Sequence, residues 1–130
     1  MTREEFEKLV EEGYEQLPEW VRQKIKNVAL FVEDEPSSEV RKRERLGRNH
    51  TLLGYYQGVP LLHRGDHYGV GITMPDTITL YQKPVEHAAL QDGVDVRDVV
   101  ADTIWHEFAH HFGMDEHEVR EREDKRDSKK

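Results

Sequence analysis

The sequence predicts a single α+β domain. Three observations predict it: a capped amphipathic stretch at the N-terminus, short β-rich runs punctuated by proline and glycine, and a long capped helical pattern that stops at Gly113. A chain of 130 residues is most simply one folding unit, long enough to bury one real core. The expected domain spans 1–122, followed by a charged tail over 123–130.

Thr2 to Gln16 reads as the first helix. Phe6, Leu9, Val10, Tyr14 and Leu17 recur at spacings of three and four, and Thr2 with Glu5 makes a capping-box pattern. Pro18 interrupts it, and Glu19 to Lys26 adds a turn or two with Trp20, Val21 and Ile25 facing inward. Val28 to Val32 is short, β-branched or aromatic, and stopped by Pro36, which predicts a buried strand. Residues 37–50, SSEVRKRERLGRNH, are polar and basic and read as a short helix or a loop.

Leu52–Tyr56 and Val59–Leu62 are short extended pieces around Gly54 and Gly58, and His63–Gly71 is a glycine-rich loop. Thr77–Gln82 alternates, is bounded by Pro75 and Pro84, and reads as a strand and the candidate sheet edge. Pro84 to Gln91 suits a short helix with proline at its first position. Asp95 caps the long, strongly amphipathic helix, with Asp98 in the capping-box place. After Gly113 the charged stretch continues a short C-terminal helix and then frays.

Charge and composition bound the function. The formal net charge is −8, which opposes general nucleic-acid binding because that needs a basic face. The basic run Arg41–Arg48 reads as a solvated segment. There is no cysteine, so any metal must be held by imidazole and carboxylate. The first residues lack the pattern of a signal peptide, and no apolar run approaches the ~20 residues of a membrane span. The expectation is a cytoplasmic protein with no membrane partner. Nothing in the sequence sets an oligomeric state.

Residues 106–117, HEFAHHFGMDEH, hold the chemistry. On a helical wheel His106 and His110 lie about 40° apart, one turn from each other, at the edge of an arc formed by Val99, Val100, Thr103, Ile104, Phe108 and Phe112. Glu107 leans over the same side. Both imidazoles can therefore reach one ion while the glutamate stays off it, which is the physical content of H-E-x-x-H. Two histidines give two bonds and zinc needs a third, so the cluster Asp115-Glu116-His117 beyond the glycine turn supplies the candidates. His111 falls in the middle of the apolar arc and reads as a packed core histidine. Asp102, one turn before His106, is either a solvated aspartate or the acceptor for that imidazole's second N–H.

The stretch HEFAHHFGMDE resembles the H-E-x-x-H-H-F-G-x-D-[DE] signature of a family of small bacterial proteins with a minimal zincin-like fold, assigned as zinc metallopeptidases. VALFVEDEP, LLGYYQGVPLLHRG and ITLYQKPVE agree with that family's pattern in the same order, so the resemblance covers roughly residues 5–120. It implies an N-terminal helix, a small twisted mixed sheet and an active-site helix. It also implies Zn2+ held by His106, His110 and an acid after the glycine. The related pattern puts the third ligand six residues past the second histidine, at Glu116, where related motifs often carry Asp or His; Asp115 and His117 stay open beside it.

The implied activity is hydrolysis of a peptide bond in a peptide or protein substrate, with Glu107 activating water. Tyr81, His87 and His67 are the candidate donors to the oxyanion. The pair His63 and His67 lacks helical ligand spacing and reads as a solvated loop. The competing function is a zinc-binding interaction module that keeps the fold and the ion without turnover. An intact Glu107 favours the enzyme; the short chain favours the module.

Overall fold

The computed structural model describes residues 1–58 and 76–111. They form five helices and three strands: α1 (Arg3–Glu15), α2 (Glu19–Lys24), β1 (Ala29–Glu33), α3 (Ser38–Arg43), β2 (Gly54–Gln57), β3 (Thr77–Tyr81), α4 (Gln82–Asp92) and α5 (Val96–His111). This is the expected α+β class with a small mixed sheet. The expected extended piece Val59–Leu62, the loop His63–Gly71, the Gly113 break and the short C-terminal helix lie outside the described residues.

α1 starts where the capping box places it. The Thr2 hydroxyl accepts from Glu5 N–H at 3.1 Å, and Glu5 Oε1 accepts from Thr2 N–H at 3.3 Å. Phe6, Val10 and Leu17 are buried from this segment, and Val21 and Ile25 from α2 and its end. Trp20 does not turn fully inward and stays 36% exposed. It lies instead at the rim, edge-on to Trp105 at 5.8 Å and to Phe108 at 5.7 Å, where a large ring keeps one face dry and the other wet.

The sheet has the order β1-β3-β2, with β1 parallel and β2 antiparallel to β3. β3 is therefore the central strand, not the edge expected of Thr77–Gln82. Its backbone groups are shared between two neighbours, and β1 and β2 are the edges among the described residues. Register sets two rows on the inner face: Leu30, Ile78 and Tyr56 side by side, then Val32, Leu80 and Gly54. Ile78 and Leu80 are fully buried. β1 is not the fully buried strand that its apolar run predicts. Leu30 and Val32 pack on the core while Phe31 faces outward and is 53% exposed, the alternation of an edge strand with one covered face.

The helix after β3 starts at Gln82 rather than Pro84, so Pro84 sits in the third helical position. Proline is tolerated throughout the first turn, where backbone N–H groups have no helical acceptor. Gly93 closes that helix in the left-handed conformation, φ 66°.

α5 is the axis of the domain. Asp95 caps it: its Oδ1 accepts from Arg97 N–H at 2.8 Å, and the Arg97 guanidinium holds both carboxylate oxygens. The same guanidinium reaches Glu12 of α1 at 3.3 Å. The helix is not amphipathic in the simple sense expected. Besides Val99, Val100, Thr103, Ile104 and Phe108, it buries Ala101, Trp105 and Ala109, which extend the buried arc further round the wheel. α1 packs on one side, the sheet on another and α4 on a third, so most of its circumference is dry.

α1 approaches α5 at Gly13. A Cβ there would stand 2.8 Å from the Arg97 carbonyl oxygen and 2.9 Å from Val100 Cγ1. Gly13→Ala is expected to force the helices apart and lower stability by about 1–3 kcal/mol. Urea unfolding followed by circular dichroism measures it; an unchanged midpoint would mean the two helices separate there at no cost.

Candidate metal centre

α5 lies alongside β2, running in the same direction, and the two elements are matched in step. A Cβ on Gly54 would stand 2.7 Å from Thr103 Cγ2, and one on Gly58 would stand 2.9 Å from His111 Cε1. Eight helical residues rise about 12 Å and four strand residues about 13 Å. Halfway between those contacts, the Tyr56 backbone N–H donates to the Glu107 carboxylate. Thr103, Glu107 and His111 thus meet Gly54, Tyr56 and Gly58 in turn.

Glu107 is half-buried at this seam. Burial pushes its carboxyl above the usual glutamate range; the Tyr56 N–H and His110 oppose that shift, and Glu44 adds to it. A carboxyl so placed is readier to accept a proton than one in open water.

His106 and His110 flank it, both exposed, one turn apart at the end of α5. Their ring centres are 6.5 Å apart and their planes differ by 20°. Two imidazoles sharing one ion through bonds of about 2.1 Å bring their centres to roughly 5–6 Å. A modest side-chain rotation closes the difference, and the nitrogen donors suit zinc, so the pair fits the ion. Among the described residues no group of three His, Asp or Glu converges to hold a metal. The third-ligand candidates Asp115, Glu116 and His117 lie outside the described residues, as do His63 and His67.

His111 is not the core histidine that its wheel position predicts. Its side chain is 38% exposed. The ring stacks on Tyr56, centres 3.7 Å apart and planes 17° apart, with Nε2 3.7 Å from Asp76 Oδ2. Asp76 Oδ2 accepts from the Tyr56 hydroxyl at 2.8 Å. The last turn of α5 runs past the core, so Tyr56 covers the imidazole where helix neighbours were expected to.

Tyr56, Asp76 and the two glycines were missed in the sequence. Their signal was available: in GYYQG the glycines and Tyr56 share one strand face, a small–aromatic–small row suited to a closely packed helix. Of the oxyanion candidates, Tyr81 is 1% exposed. Burial, with Glu33, Tyr55 and Glu107 nearby, pushes its hydroxyl up to about 12. It is a packed core hydroxyl rather than one facing an open site. His87 lines a separate cleft that shares no residue with the motif. Asp102 is half-buried one turn before His106.

The family model of zincin-like metallopeptidases matches residues 25–126. The chain belongs to the zincin-like metallopeptidase family. Among solved structures, a conserved hypothetical protein from Thermus thermophilus is 26% identical, with a TM-score of 0.53 over 85% of this chain and 94% of that one. No curated protein matches. The zincin-like assignment agrees with the helix–sheet–helix arrangement. Among the described residues no helix is long and apolar enough to cross a membrane.

The raised Glu107 carboxyl has a consequence for stability. Its ionised form is disfavoured in the fold, so the metal-free protein carries a cost at neutral pH that vanishes as pH falls below the raised value and the group protonates. Glu107→Gln should therefore raise the melting temperature of metal-free protein at pH 7, with the gap closing as pH falls through the carboxylate range. A pH series of melting curves for both proteins tests this; a gap independent of pH contradicts it.

Proposed function

We propose that this zincin-like protein hydrolyses peptide bonds with zinc held by His106, His110 and Glu116 and with Glu107 as the general base. The observation that carries the reading is the position of Glu107, fixed against the β2 backbone and flanked by two exposed imidazoles on its own helix. A purely structural metal site has no use for a half-buried carboxylate between its ligands.

When bound, zinc supplies a Lewis acid that polarises the scissile carbonyl and acidifies a water. Glu107 takes the proton from the attacking water and passes it to the amine nitrogen as the C–N bond breaks. Its raised proton affinity serves the first transfer, and the Tyr56 N–H fixes where the carboxylate stands for both. Asp102 accepts the second N–H of His106 and so fixes that ring's tautomer. Asp115 and His117 are the alternatives to Glu116 for the third ligand.

Glu107→Gln should bind zinc at the wild-type stoichiometry and lose about 10²–10⁴-fold in cleavage of a peptide library. An active Glu107→Gln protein rejects the general-base role. Wild-type protein that loads zinc and cleaves nothing points to the interaction module instead. For the ligands, His106→Ala and His110→Ala should each abolish stoichiometric zinc uptake, measured by metal analysis after dialysis. Glu116→Ala should weaken uptake more than Asp115→Ala or His117→Ala; the reverse order moves the third ligand.

A further inference from the structure

A cleft of about 530 Å³ opens between residues 35–51 and the first turns of α4. That volume lies in the range of ligand pockets, about 300–1,000 Å³, and exceeds what a single inorganic ion needs. Its charged lining is Arg41, Arg48 and Lys83 against Glu35 alone, three cations and one anion, a balance of +2 with His50 and His87 counted neutral. The whole chain carries −8. Cations gathered in a cleft of an acidic protein focus a local field that attracts anions.

The stretch Arg41–Arg48 is mostly exposed, as expected of a solvated basic segment, and one tie orders it. The Arg41 guanidinium donates to the carbonyls of Gly47 at 2.8 Å and His50 at 2.9 Å, tying the loop back onto α3. Lys83 and His87 stand four residues apart on one face of α4. Lys83 N–H donates to the Asp34 carbonyl at 3.1 Å, which fixes that turn against the exit of β1. The Asp34 carboxylate is engaged by Arg3 at 2.6 Å and also interacts with Lys83, so it offsets part of the positive charge there.

The cleft lies where β1 and β3 end and β2 begins: Glu35 follows β1, Lys83 follows β3, and Thr51 precedes Gly54. From Thr51 to Tyr56, whose N–H holds Glu107, is five residues, about 17 Å of extended chain. We infer that the cleft binds a carboxylate of the peptide substrate, an acidic side chain or the chain terminus, several residues from the bond presented to Glu107. The choice of a peptide rests on the function proposed above; the placement of the cations does not. Free phosphate shares the chemistry and is separated from the peptide by experiment.

The experiment is a binding titration on full-length Glu107→Gln protein without added metal, at low salt. The probes are a labelled glutamate-rich peptide, its glutamine counterpart and inorganic phosphate as competitor. The glutamate peptide should bind saturably and the glutamine peptide not measurably. Arg48→Ala and Lys83→Ala should each weaken the glutamate peptide about tenfold. Both side chains are exposed, so melting curves should show the variants folded. Arg41 is left intact because it closes the loop. Equal binding of the two peptides, or indifference to both substitutions, overturns the inference. Phosphate competing as tightly as the peptide binds overturns the peptide assignment. Binding is read without turnover, so a negative result leaves the peptidase reading standing, and an inactive enzyme leaves the binding result valid.

Discussion

The close, in-step approach of α5 to β2 is the constraint on which the site depends. Four residues of helix and two of strand cover nearly the same distance, about 6 Å. One face of a strand can therefore meet every turn of a helix that runs beside it. Gly54 and Gly58 remove the side chains that would keep the elements apart, and Tyr56 between them carries the N–H that meets Glu107. The position of the catalytic candidate is thus set by backbone, which has few conformations to choose from.

The rest of the domain holds α5 in that place. Ile78, Leu80, Val10, Phe6 and Val85 pack with Val100, Ile104 and Trp105 in one apolar cluster drawn from the sheet and from helices on other sides. A helix dry on most of its circumference cannot roll. Its exposed residues come only in the last turns, where His106, His110 and His111 emerge around the half-buried Glu107. Holding a carboxyl half-buried there costs stability, and the surrounding core offsets it.

Much of this was legible in the sequence because it is local. The Thr2–Glu5 capping box, the Asp95 cap of the long helix and the one-turn spacing of His106 and His110 depend on residues within a few positions of each other. Strand order was not legible. The Thr77–Gln82 run looks the same at an edge or at the centre, and only long-range pairing put β3 between its neighbours. The apolar run of β1 hid an outward Phe31 for the same reason. His111 was misread because a helical wheel assumes that the core extends along the whole helix, whereas here a strand tyrosine caps its end. The basic stretch at 41–50 is largely solvent-facing, as its composition indicates; what was not legible is that Lys83 and His87, some forty residues away in sequence, line the same cleft.

The apolar core bears on how the protein matures. Every residue of that cluster is hydrophobic, and neither His106 nor His110 belongs to it. The core of the described residues is held by hydrocarbon burial, so its packing does not call for an ion, unlike small domains that collapse only around zinc. Binding of the proposed zinc would then be a separate, later and reversible event, governed by the free concentration of the ion rather than by biosynthesis.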